Sequence, residues 1–177
     1  RNGVSLDMVA APFLPSSHID RERRPSIMLG EEPQRQRDIE DIQKTLVNCA
    51  KVGIPSVKYN MSILGVLRIE PTEGRGGVKL STWKLAEAKP EKPLTRAGQV
   101  TADIFWERIT HFLDNVIPVA NENQIRVACH PHDPGVPPEG YQGVDRVLGT
   151  VDGLKRFVEI QESPYHGLNF CQGTVSE

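Results

Sequence analysis

Four segments of this chain alternate apolar and polar side chains with period 2, and the first three are each followed by a stretch whose apolar residues recur every three or four positions. This strict alternation of strand and helix constrains the fold more than any other feature, because parallel strands need long crossovers and helices supply them. Residues 4–10 set Leu6, Met8 and Ala10 against Ser5 and Asp7, and residues 56–62 set Val57, Tyr59 and Met61 against Lys58, Asn60 and Ser62. Residues 125–131 and 168–174 predict the third and fourth strands. Between them, Ile39, Ile42, Leu46, Val47 and Ala50 predict a helix over 38–51, stopped by Gly53 and Pro55. A stripe of Ile104, Phe105, Ile109, Phe112, Leu113, Ile117 and Val119 predicts a second helix within 100–121, bent or ended by Pro118. Thr150 predicts the N-cap of a third, with Leu154, Phe157, Val158 and Ile160 as its apolar face. Residues 12–37 and the loop holding Pro134, Pro137, Pro138, Gly140 and Gly143 read as surface excursions. Residues 63–98 read as an inserted flap, since connections that long are usually functional or mobile.

Strand faces decide which α/β fold applies. In a doubly wound sheet both faces lie under helices and strands read as continuous apolar runs, but here each strand has a polar side: Asp7, Lys58 and Asn60, Arg126 and His130, Asn169 and Cys171. A barrel interior with a site at its mouth explains that better. The predicted fold is a TIM (β/α)8 barrel, of which the chain supplies about the middle four βα units. Residues 1–177 then form part of one catalytic domain, and a chain that opens on Arg1 rather than Met reads as a piece of something longer, expected to be inactive alone.

Charge and cysteine content narrow the partners. Twenty-one Lys and Arg against 23 Asp and Glu give a net charge of −2, with no basic block among aromatics, so nucleic acid is excluded as the main partner. No apolar run reaches the ~20 residues of a membrane span, and the start lacks a secretory layout. Cys49, Cys129 and Cys171, odd in number and without CxxC spacing, argue for a reducing compartment, with cytoplasm the default.

The densest polar cluster is residues 128–134, at the carboxyl end of the third strand, where barrel active sites are built. Alternation sends His130 to the same face as Arg126 and sends Cys129 toward the helices. Alone, His130 is equally a hydrogen-bonded core histidine. Cys171 falls on the polar face of the fourth strand, and neighbouring strands lie about 4.8 Å apart, so an imidazole and a thiolate can share one divalent metal. The plainer alternative for Cys171 is an inert buried thiol. Asn60 and Arg146 are candidate contacts to substrate hydroxyls and a carboxylate, Arg146 being equally a solvated surface residue. Asp133 either orients a ligand or is a turn residue before Pro134, and His132 is a candidate general acid because histidine titrates near neutrality. The glycines of residues 73–77 lack a phosphate loop's ending and read as a mobile segment, and the sequon at residues 60–62 lies on a strand without an export signal.

The stretches at residues 117–134, 143–150 and 167–174, with 46–61 and Arg68 downstream, resemble the bacterial mannonate dehydratases, members of the xylose-isomerase-like barrel superfamily. The likeness spans most of the chain outside 69–98. It implies a hydro-lyase that removes water from D-mannonate to give 2-keto-3-deoxygluconate in hexuronate catabolism. It further implies a divalent ion, manganese first and iron or cobalt as substitutes, with the histidine opening the family's HPxDP motif mapping onto His130 and the cysteine of its xCxGS/T motif onto Cys171. Arg68, Asn60, Asp133 and Arg146 stand as substrate contacts. His132 departs from the aspartate many members carry. The partner implied is a small sugar acid, with homo-oligomerisation left open. A metal-dependent isomerase or epimerase of the same superfamily, and a sugar-binding barrel without activity, are the rival readings.

Overall fold

The computed structural model describes residues 3–89, 92–136 and 139–176, so Pro137 and Pro138 of the second excursion lie outside the described residues. The elements in chain order are β1 (Val9–Ala10), α1 (Ser26–Leu29), α2 (Gln34–Lys51), β2 (Ser56–Asn60), β3 (Thr72–Glu73), β4 (Lys79–Leu80), α3 (Ala102–Glu122), β5 (Arg126–His130), α4 (Val151–Glu159), β6 (His166–Leu168) and α5 (Gln172–Val175). Strands β1, β2, β5 and β6 pair in that order, all parallel, as the crossovers through α2, α3 and α4 require. The fold is mixed α/β, about half of a barrel of the TIM type.

Each helix forms for a local reason. In α2, Ile39, Ile42 and Leu46 share a buried stripe, and in α3 Phe105, Ile109, Phe112, Leu113, Val116 and Ile117 form a longer one. Thr101 caps α3 by accepting from the Ile104 amide, and Thr150 caps α4 by accepting from the Gly153 amide. Pro118 does not end α3, which continues to Glu122 because the proline lies on the exposed side, where the bond it lacks is open to water. Ile104, expected on the stripe, faces out at 40% exposure.

Val57 and Tyr59 of β2 and Val127 and Cys129 of β5 point into the core beneath α2 and α3, and the Tyr59 and Phe112 rings lie 5.2 Å apart. The other face carries Ser56, Lys58 and Asn60 beside Arg126, Ala128 and His130, in register.

All four strands are shorter than expected, the two at the edges most, and the fourth, expected over 168–174, lies at His166–Leu168. β1 holds only Val9 and Ala10, while Val4, Leu6 and Met8 are exposed. Its register pairs Val9 with Val57 and runs back no further than Val9, and Asp7 accepts through its backbone carbonyl from the Ser56 hydroxyl at 2.5 Å. At the other edge, β6 stops at Leu168 after Asn169 donates to Cys129, because Pro131 cannot give the next rung. The chain then turns into α5, so Cys171 is a helix cap, not a strand residue. Residues 73–77, expected to be mobile, close the β3–β4 hairpin, and the excursion carrying it is tied down: Trp83 Nε1 donates to the Gly135 carbonyl at 3.0 Å, and the Arg96 amide donates to Asp20 at 2.8 Å.

Candidate functional site

The loops that follow β1, β2 and β5 converge at the carboxyl ends of the strands and enclose a cleft of about 160 Å³. Its walls are Ser16 from the first loop, Lys58, Asn60, Ser62, Gly65 and Val66 from β2 and its loop, and His130 through Asp133 from β5 and its loop. Gly65 is required where the first two loops touch. Its φ is +65°, and a Cβ there would sit 2.7 Å from the Ser17 carbonyl carbon. The Asn60 amide donates to the Leu14 carbonyl at 2.9 Å, which fixes the first loop against β2.

His130 ends β5 facing this cleft, beside Asn60 on the neighbouring strand. Its Nδ1–H donates to the Pro131 carbonyl at 2.7 Å, which fixes the tautomer and leaves Nε2 as a lone-pair donor. Cys129, one residue earlier, is fully buried on the helix side, and burial pushes its thiol up to about 12. Cys171 caps α5 at the carboxyl end of the adjacent strand, and it is absent from the lining of the cleft that holds His130. The Thr174 hydroxyl donates to its Sγ at 3.2 Å, and this bond holds the thiol below its ordinary range. Imidazole Nε2 and a stabilised thiolate suit a borderline divalent ion. Among the described residues no group of three or more histidine, cysteine or acidic side chains gathers, so these two would be part of a ligand set.

Other candidates are placed differently from expectation. His132 is 3% exposed, with Nε2–H donating to the Met61 carbonyl at 2.7 Å and its ring 5.3 Å from Phe105. Burial, then the charge of Arg146, pushes its pKa down to about 3. The general-acid expectation rested on titration near neutrality, and burial removes that premise: His132 is a neutral brace between two loops. Arg146 is neither solvated nor among the cleft-lining residues. It is buried, with Nη2 donating to the Asp133 carbonyl at 2.8 Å and Nη1 reaching toward the Gly65 carbonyl at 3.5 Å, so it clamps the β5 loop to the β2 loop. Arg68 lies outside the lining as well. Its two terminal nitrogens each meet an Asp133 carboxylate oxygen at 3.3 Å, and Nε donates to Ser81 at 3.0 Å. Asp133 does line the cleft, so its carboxylate joins the excursion to the rim. Asn60 is in the wall, 6% exposed.

Sequence reasoning passed over Lys58, Ser16 and Ser62 as site residues. Lys58 and Ser62 lie two positions either side of Asn60, so the period-2 rule that selects Asn60 selects them too. Ser16 carries no such signal, because it arrives through a loop.

A parallel half-barrel with a polar cleft at its carboxyl ends belongs to the class of α/β barrel proteins that build their sites there. The family model described as D-mannonate dehydratase (UxuA) matches residues 81–177, more than half of the chain, and the chain belongs to that family. The match takes in residues 81–98, which the sequence resemblance had left out. Similar proteins include the mannonate dehydratase of Shouchella clausii, 29% identical over 174 residues, covering 81% of this chain and 48% of that protein. Mannonate dehydratase 2 of Halalkalibacterium halodurans is 28% identical, covering 99% of this chain and 54% of its own length. The crystal structure of mannonate dehydratase from Streptococcus suis superposes with a TM-score of 0.77 at 20% identity over 98% of this chain and 48% of that one. The chain thus spans about half the length of the curated relatives it matches.

Proposed function

We propose that this chain is half of a single barrel catalytic domain, with 63–98 as an inserted loop, in a cytoplasmic, metal-dependent hydro-lyase that converts D-mannonate to 2-keto-3-deoxygluconate. The observation that carries the reading is the coincidence of the family match with His130 and Cys171, a lone-pair imidazole and a stabilised thiolate at the carboxyl ends of adjacent parallel strands.

His130 and Cys171 would supply two ligands to a divalent ion, manganese by preference with iron or cobalt as substitutes. When bound, such an ion supplies Lewis acidity toward the charge that develops as the proton next to the substrate carboxylate is lost. The chain's own groups do the rest. His130 presents Nε2 because Pro131 holds the other ring nitrogen. Asn60 offers an amide to substrate hydroxyls from a wall that the Leu14 carbonyl keeps in register. Arg146 and His132 stiffen the loops that shape the cleft. Arg68 acts through Asp133, fastening the inserted loop to the rim.

The test is to supply the complete gene product with manganese and D-mannonate and to follow a 2-keto-3-deoxy product. Turnover that falls by about a hundredfold or more in Cys171→Ser supports the reading, since a neutral hydroxyl is a poor substitute for a thiolate. Interconversion of ketoses with mannonate untouched would replace it with an isomerase.

A further inference from the structure

Three cations come close to the cleft, and two of them are committed elsewhere. Arg146 spends its guanidinium on the backbone of the two loops, and Arg68 spends its fork on Asp133. Lys58 lines the cleft, and among the described residues no carboxylate or carbonyl accepts from its ammonium. Its surroundings look built for a guest. The register pairs Lys58 with Ala10 on one side and Ala128 on the other, so two short side chains flank a long one. One layer toward the mouth, about 6.6 Å along the strands, Asn60 and His130 stand side by side. Lys58 is half-buried on this wall, and among the described residues no carboxylate forms an ion pair with it.

We propose that Lys58 is the specificity residue of this site. Its ammonium pairs with the carboxylate of a polyhydroxy acid whose hydroxyls reach the Asn60 and His130 layer, and this pairing selects acids over neutral polyols. Naming the acid as D-mannonate rests on the lyase reading; the charge selection does not. Arg68 is the weaker choice for the same task, because it would have to leave a two-point ion pair, and it lines a neighbouring depression with Glu70, Glu87, Lys89 and Lys92.

The experiment titrates the complete gene product, wild type and Lys58→Met, with D-mannonate and with D-mannitol, its uncharged counterpart. The substitution is expected to weaken the acid by about tenfold to a hundredfold, the range of a charge-assisted contact, with no comparable effect on the polyol. Lys58→Arg keeps most of the affinity. A second readout needs no polyol affinity: the labelled Lys58 Cε resonance moves when D-mannonate is added. Equal weakening of both ligands, or a resonance unmoved by saturating acid, overturns the proposal. Dehydration of D-mannonate by the wild type tests the lyase reading separately. If that fails while another aldonate shows the Lys58 dependence, the lyase reading falls and the charge selection stands; if no aldonate binds, both fall.

Discussion

His132 shows how far a residue's surroundings can overrule its type. An unfolded histidine titrates near 6.5, whereas this one, folded, is pushed down to about 3. Between those values the unfolded chain takes up a proton that the folded chain refuses, so the stability His132 contributes is complete above about 6.5 and drains away as pH falls toward 3. Urea midpoints at about pH 7 and about pH 4.5 check this: the wild type should lose more on acidification than His132→Phe. Equal losses would mean that the ring is reached by solvent. His166, also lowered by burial, titrates in both proteins and cancels from the comparison. Asp38 offers a second test. It is fully buried in α2, accepts from Arg24 Nε and Gln34 Nε2, each at 2.8 Å, and so binds the first excursion to the helix. Asp38→Ala should cost about 2–3 kcal/mol by thermal or chemical unfolding, because it removes the buried carboxylate that accepts from Arg24 Nε, Arg24 Nη2 and Gln34 Nε2. The site was only partly legible at this scale. The inward face of His130 and Asn60 follows from strand period, but nothing in the sequence tells that Arg146 and His132 are consumed by backbone carbonyls, since those carbonyls come from loops far away in the chain.

Secondary-structure elements were legible in proportion to their contacts within the chain. The helices α2 and α3 each carry a long buried stripe and α4 buries Leu154 and Phe157, so their period marks them; β1 and β6 are edge strands with one partner each, and Pro131 cuts the β6 ladder short. The alternation of Leu168 and Phe170 with Asn169 and Cys171 predicts a strand that the chain leaves at Leu168, and Cys171 caps α5 just beyond the carboxyl end of β6. Gly153 in α4 tests the packing account against simple propensity. Alanine favours a helix by up to about 1 kcal/mol over glycine, but a Cβ at 153 would meet the Val147 carbonyl oxygen at 1.8 Å. Gly153→Ala should therefore destabilise, by about 2 kcal/mol or more, and a stabilised variant would show that the 147–150 turn yields freely. Thr101→Ala, which removes only the α3 cap, should cost about 1 kcal/mol in the same assay.

On the scale of the whole molecule, the architecture explains why the chemistry gathers at one end. Parallel strands deliver every carboxyl terminus to the same rim, and the loops after β1, β2 and β5 close over it under the clamp of Arg146 and the Arg68–Asp133 pair. Among the described residues no helix is long and apolar enough to cross a membrane. In the proposed function His130 and Cys171 would hold one divalent ion at this rim, and cobalt reads this directly, because a thiolate ligand gives Co²⁺ an intense near-ultraviolet charge-transfer absorption. Cys49 and Cys129 are buried on the helix side and should not contribute. The complete gene product titrated with Co²⁺ should develop the band at one equivalent, lose it in Cys171→Ser, and require far more metal in His130→Ala. A band that survives Cys171→Ser, or a wild type that binds cobalt without one, would contradict the account.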